Sequence, residues 1–313
     1  MSKYVISSSP HLRDNVSTTS IMRDVCIALL PAAVAGVLFF GYRSAIILAL
    51  SVAAAVLSEW LYCKAAHCRN TIGDFSAVVT GMLLAMNLPS TVPYWMPVIG
   101  SVIAILLCKM IFGGIGQNFI NPALAARAIL ALSWASLMNM FATPAFGNLA
   151  GVDAVASATP IGAAAGTYTL GQLFLGNIPG TIGETCKLAL LIGAAYLFYK
   201  KVITWHIPAA FIGTFAVCYL LKTGFDVNAT LAQLLSGGLI LGAFFMATDY
   251  SSSPATAKGK IVFGIGCGLL LFIFRACKKT PAEWCSYAIL LMNVCSPLIE
   301  RVTGNKSFGE VKK

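Results

Sequence analysis

Apolar runs of roughly 17–20 residues, separated by short polar connections, recur along almost the whole chain, and at about 1.5 Å per residue each spans a hydrocarbon core of roughly 30 Å. The pattern predicts ten spans, near residues 22–41, 44–63, 74–88, 95–112, 122–141, 183–200, 205–222, 234–248, 260–277 and 282–300. The expected fold is an all-α integral membrane protein. It divides into an N-terminal segment (1–21), five spans (22–141), a connection (142–182), five more spans (183–300) and a tail (301–313). The third and eighth expected spans are short. Each ends in a polar break, Asn87-Leu88-Pro89-Ser90-Thr91-Val92-Pro93 and Thr248-Asp249-Tyr250-Ser251-Ser252-Ser253-Pro254.

The two sets of five spans repeat at an offset of about 161 residues, and an odd number per set predicts inverted copies. Ala28-Leu29-Leu30 falls on Ala189-Leu190-Leu191, and Gly81, Ser90 and Pro93 fall on Gly242, Ser251 and Pro254. Asn121-Pro122-Ala123 resembles Thr280-Pro281-Ala282 with a slip of a residue or two. Paired short, Pro-interrupted segments point to a site between the copies, because irregular backbone at membrane depth must face protein or a cavity. An ordinary short helix followed by a surface loop explains each segment as well.

Composition agrees with the pattern. Of 313 residues 58% are hydrophobic and only 10% charged, against about 25% in soluble domains. The net charge of +10 does not mark a nucleic-acid binder, because the cations are spread between apolar runs instead of forming one basic face. With the N-terminus in the cytoplasm, most of the 21 Lys and Arg residues fall in cytoplasmic segments, as the positive-inside rule requires. The cluster at 275–279 runs against that rule. The first span follows a polar stretch without an A-x-A-like cleavage site, so no removable signal peptide is expected. The 10 cysteines are scattered, with no C-x-x-C, and the 3 histidines share no ligand spacing, so no metal site is expected.

Few residues carry candidate chemistry. Glu59 is an acid within a span, open to an ion path or a buried pair. Asp249 either pairs with Lys258 or holds the second break. Gly238/Gly242 and Gly264/Gly268 are G-x-x-x-G pairs, expected to let helices pack closely. The connection 142–182 has one charge, Asp153, within Asp153-Ala154-Val155-Ala156-Ser157-Ala158-Thr159-Pro160. Taken alone, that stretch is a small-residue linker.

Asp153, Ala158 and Thr159 are similar to the flavinylation motif D-x-x-[ST]-G-A-T, whose last Thr is esterified through the phosphate of FMN. Ala156-Ser157 stands where the motif has its Ser-Gly pair. Ser9-Pro10-His11, the stretch G-G-I-G-Q-N-F-I-N-P-A-L over 113–124 and M-A-T-D-Y-S-S-S-P over 246–254 resemble the NqrB/RnfD family of membrane subunits. A first span near residue 22 favours the Rnf branch. The resemblance implies a fold like urea and ammonium transporters, covalent FMN on Thr159 and a second, non-covalent riboflavin between helices. It also implies a membrane electron-transfer subunit of an ion-translocating ferredoxin:NAD+ oxidoreductase in the bacterial inner membrane.

That subunit is expected to have cytoplasmic termini and an external Thr159. Its expected partners are a second FMN-bearing subunit, cluster-bearing membrane subunits, a flavin transferase and lipid, with no nucleic acid. Arg127 is then a contact for flavin phosphate or carbonyl oxygens, a cation snorkelling to the interface, or part of a loop longer than the spans above allow. Asn118 and Asn121 are amide donors beside Gly113, Gly114 and Gly116, where a backbone can approach a ring closely; loop geometry explains the glycines nearly as well. A solute channel without a redox cofactor is the rival, and it has no need of the 153–159 motif.

Overall fold

The computed structural model describes residues 16–68, 70–144, 146, 168–277 and 284–304, and among them every regular element is helical. Helix α1 (Thr18–Phe40) starts at Ser17. There the Ser20 N–H donates to the Ser17 hydroxyl at 3.2 Å and the Ser17 N–H donates to the Ser20 hydroxyl at 3.0 Å. Gly41, at φ 75°, turns the chain straight into α2 (Tyr42–Ala65). A short 3-10 turn (Ile72–Asp74) leads to α3 (Ser76–Met86), and α4 (Trp95–Ile105) continues as a π-helix over Leu106–Met110. Asn121 caps α5 (Pro122–Ser133), which is followed by the single turn α6 (Ala135–Met138).

Beyond the connection come α7 (Leu170–Leu175), α8 (Lys187–Tyr199), α9 (His206–Lys222) and α10 (Val227–Leu234). Next, α11 (Leu239–Leu241) also runs on as a π-helix, over Gly242–Met246, before α12 (Ala257–Ala276) and α13 (Cys285–Thr303).

Helices α1, α2 and α12 are long and apolar enough to cross a membrane, and α10 with α11 and its extension makes a fourth unit bent by 65°. The other apolar helices, α3, α4 with its extension, α5, α8 and α9, are shorter. Large apolar side chains such as Leu30, Leu57, Leu132, Ile192, Leu221 and Leu298 face outward. Such a surface is unfavourable in water and favourable in lipid. The chain is an integral membrane protein whose described residues form an all-helical fold.

Two expected spans have other limits. The fifth, expected over 122–141, ends as a helix at Ser133, because Trp134 at φ −131° and ψ 53° leaves helical geometry. The eighth, expected over 234–248, is cut by the bend between α10 and α11, where Gly237 takes φ 66°.

Close approach at small residues sets the packing. Helix α9 lies on α12, where a methyl at Gly264 would stand 2.9 Å from the Ile207 carbonyl oxygen and one at Gly268 2.8 Å from that of Phe211. Gly242 faces Cys285 of α13, whereas Gly238 stands in the bend instead of on a packed face. Helices α2, α3 and α4 form one group; α1 packs on α8, and α5 on α13.

A helix that stops inside the protein leaves carbonyls that must find donors. After α3, the Ile182 N–H donates to the Leu88 carbonyl at 3.0 Å and the Gly183 N–H to that of Met86 at 2.8 Å. At the α10–α11 bend the donors are cations. Arg275 donates to the carbonyls of Gln233 at 2.7 Å and Ser236 at 3.0 Å, and Lys187 to that of Gly237 at 2.9 Å.

Candidate functional site

A cavity of about 360 Å³ lies among α1, α3, α5 and the two π-helices. Its apolar walls include Ile21 and Val25 from α1, Val79 and Leu83 from α3, and Phe244 and Phe245 from the second π-helix. Its polar groups include Ser76, Thr80, Lys109, Asn118, Asn121 and Asp249. Lys109 comes from the first π-helix, so both π-helices reach the same space. A π-turn inserted in an α-helix frequently marks a functional site.

Lys109 is buried, and its ammonium donates to Glu59 Oε2 at 2.7 Å and to Ser76 Oγ at 2.6 Å. Glu59 is fully buried and also accepts from the Thr71 hydroxyl. Ser76 in turn donates its hydroxyl to Asp74, which also accepts the Ser76 N–H at 2.8 Å. The acid within the second span is therefore half of a buried pair. Isolated, either charge would be strongly disfavoured at this depth, and the pair neutralises both.

Asn121 caps α5, its Oδ1 accepting from the N–H groups of Ala123 at 3.1 Å and Leu124 at 3.3 Å, with Pro122 fitted to the first turn. Its amide nitrogen donates to the Met246 carbonyl at 3.3 Å, which ties α5 to the end of the second π-helix. Asn118 also lines the cavity, and its amide donates to the Ile120 carbonyl at 3.3 Å. Gly113, Gly114 and Gly116 have φ values of 112°, 92° and 84°, so the loop itself demands glycine.

Arg127 lies outside the cavity lining. Its Nη1 donates to Ser286 Oγ at 2.7 Å, to Asn87 Oδ1 at 2.8 Å and to Glu184 Oε1 at 3.4 Å. It thus faces the interior, not the interface, and links the break after α3, the segment before α8 and the start of α13. Asp249 lines the cavity and accepts from the hydroxyls of Ser251 at 3.3 Å and Ser252 at 3.1 Å, so it helps hold the second break.

The structure therefore brings Asn118 and Asn121 together and sets Arg127 apart. Asp153, Ser157, Ala158 and Thr159 lie outside the described residues. The sequence alone puts Lys109 among the cytoplasmic cations and gives no role to Ser76, Asn87, Glu184 or Ser286. Lys109 carries one signal, a lone cation close behind the apolar run 95–108. The others carry none.

The family model described as the NQR2, RnfD, RnfE family matches residues 5–309. A relative from Acetobacterium woodii, the D subunit of its Na(+)-translocating ferredoxin:NAD(+) oxidoreductase complex, is 49% identical over 98% of this chain and 96% of its own length. The D subunit of the proton-translocating ferredoxin:NAD(+) oxidoreductase complex of Clostridium ljungdahlii is 41% identical over 98% and 96%. That of the ion-translocating oxidoreductase complex of Halorhodospira halophila is 33% identical over 97% and 95%.

Proposed function

The chain belongs to the NQR2, RnfD, RnfE family, and from that premise we propose that it is a membrane electron-transfer subunit of an ion-translocating ferredoxin:NAD+ oxidoreductase. The observation that carries this is the match along nearly the whole chain to relatives so named. The electron carriers are FMN esterified to Thr159 and a riboflavin held without a covalent bond in the cavity. Flavins, when bound, pass electrons singly or in pairs, and the protein supplies position, burial and electrostatics.

The residues at the cavity suit a riboflavin. A volume of about 360 Å³ is at the small-ligand end of the usual range, and apolar walls with two phenylalanines suit a flat ring system. Asn118, Asn121 and Thr80 supply neutral hydrogen-bonding groups. Lys109 is neutralised by Glu59, so among the described residues the cavity offers no free cation to a phosphate. That favours riboflavin over FMN at this place.

The scaffold of this proposal is two inverted five-span copies, 22–141 and 183–300, resembling urea and ammonium transporters. Its support is the pairing of counterparts: α1 with α8 and α5 with α13 across the copies, and α2 with α4 and α9 with α12 within them. In this arrangement both termini are cytoplasmic in a bacterial inner membrane, and the connection 142–182 with Thr159 is external. The partners are a second FMN-bearing subunit, cluster-bearing membrane subunits, a flavin transferase and lipid.

The cavity between helices also suits a solute channel, the rival account. In-gel flavin fluorescence of the denatured protein separates the two. Wild type is expected to fluoresce and Thr159→Val to be dark; a dark wild type from cells containing a flavin transferase favours the channel. An impermeant reagent is expected to label a cysteine placed at residue 159 in intact cells, and labelling only after lysis would reverse the orientation.

A further inference from the structure

The Glu59–Lys109 pair belongs to a longer string of hydrogen bonds that runs from the protein surface to the cavity wall. Asp74 is half-buried, lies outside the cavity lining, and accepts the Ser76 hydroxyl proton. Ser76 Oγ accepts from Lys109 Nζ at 2.6 Å, and both residues line the cavity. A positioned donor within about 2.6–3.2 Å of its acceptor, or one water away, is what proton transfer requires. The Lys109–Ser76 link is a direct contact of that kind, Ser76 donates onward to Asp74, and the outer end of the string is a carboxyl group.

We infer that Asp74, Ser76 and Lys109 exchange protons between the aqueous face and the occupant of the cavity, an inference resting on the flavin reading of that cavity. A heterocycle of that class, if bound and reduced there, would take up protons, and Lys109 is a proton-bearing group in the cavity wall. An N–H bond of Lys109 breaks as the proton passes to a basic nitrogen in the cavity, and the bonding electron pair stays on Nζ. The amine regains a proton from Ser76 Oγ–H. In the same step Oγ takes up a proton that the Asp74 carboxylate has first drawn from water, which returns Asp74 to the carboxylate that accepts the Ser76 hydroxyl.

No electrons move along the string. A neutral amine at Nζ leaves the buried Glu59 carboxylate without its counter-charge, which favours return of the proton to Nζ. Among the described residues, the titratable groups around Lys109 are Glu59 from α2 and Asp74 through Ser76, and Asp249 lines the same cavity.

Asp74→Asn is the decisive change. Asparagine still accepts both Ser76 bonds through its amide oxygen, so a structural role predicts no effect, but it cannot carry a proton. In the purified complex, flavin is reduced by rapid mixing with reduced ferredoxin, proton uptake is followed with a pH-indicator dye, and riboflavin is counted after denaturing extraction. Asp74→Asn is expected to keep its riboflavin and slow uptake at least about tenfold, with Asp74→Glu restoring it. Ser76→Ala is expected to slow uptake per bound riboflavin at least as much. Uptake at the wild-type rate in Asp74→Asn with full riboflavin overturns the relay and leaves the flavin reading standing. A wild-type complex without extractable riboflavin overturns the flavin reading, and the relay with it.

Discussion

Two buried ion pairs stand out among the described residues, and they are built differently. Glu59 and Lys109, 2.7 Å apart, join α2 to the π-extension of α4 within one group of neighbouring helices, and Lys109 borders a cavity. Arg127 and Glu184, 3.4 Å apart, join segments far apart in the chain, and neither borders the cavity. Arg127 also donates to Asn87 and Ser286, so one guanidinium serves three segments. At that junction one guanidinium nitrogen, Arg127 Nη1, meets three acceptors, whereas the compact Lys109 ammonium stands in a short string of proton-bearing groups. A charge within the membrane thus has two uses here, as a tie and as a port.

Breaking the tie is expected to have the largest effect. Arg127→Met strips Glu184, Asn87 and Ser286 of a donor, and loss of one partner of a buried pair costs about 3–5 kcal/mol. Thermal unfolding in detergent and the yield of assembled complex report it. Arg127→Lys is expected to recover only part, because its ammonium sits on a shorter stem and does not reach the place of Nη1.

Breaking the port comes next. Lys109→Met removes the cation beside the buried Glu59 and leaves it the Thr71 hydroxyl, at a cost of about 3 kcal/mol, while Lys109→Met with Glu59→Leu recovers most of the loss. A double-mutant cycle read by denaturation measures the coupling. If that cycle gave a larger coupling than one on Arg127 and Glu184, the ranking of tie over port would be wrong.

Asn121 stands between the two pairs, capping the helix that carries Arg127 while lining the cavity. Asn121→Ala is expected to cost about 1 kcal/mol for the cap and to lower riboflavin content, whereas Asn121→Asp keeps the cap and loses the amide donor to Met246. The smallest effect is expected from Thr71→Val, about 0.5–1.5 kcal/mol for one hydrogen bond to Glu59, visible as a small shift in unfolding midpoint.

How much of this was legible in the sequence follows from what each signal measures. Apolar run length located α1, α2 and α12, because lipid thickness sets that length directly. Proline and polar residues located the break after α3, and Asn121-Pro122 announced the start of α5. The α10–α11 bend was harder. Its glycine pair, Gly237 and Gly238, lies in an apolar stretch that reads equally well as a packing face, and only the backbone angle at Gly237 separates the two.

The pairing of Glu59 with Lys109 was out of reach, because a charge near the end of an apolar run looks alike whether it meets water or a partner 50 positions away. Arg127 was legible as unusual but not as a tie, since Asn87, Glu184 and Ser286 come from three distant parts of the chain. The second break shows in its run of polar residues, and the structure gives Asp249 the role of holding it.

Thr159 decides the electron-transfer reading, and one measurement reaches it directly. Protein made in cells containing a flavin transferase is digested, and the peptide spanning residues 153–160 is sequenced by mass spectrometry. The expected result is FMN, less the water lost on esterification, attached at Thr159 and absent from Thr159→Val. An unmodified Thr159 in wild-type protein from an active complex would contradict it.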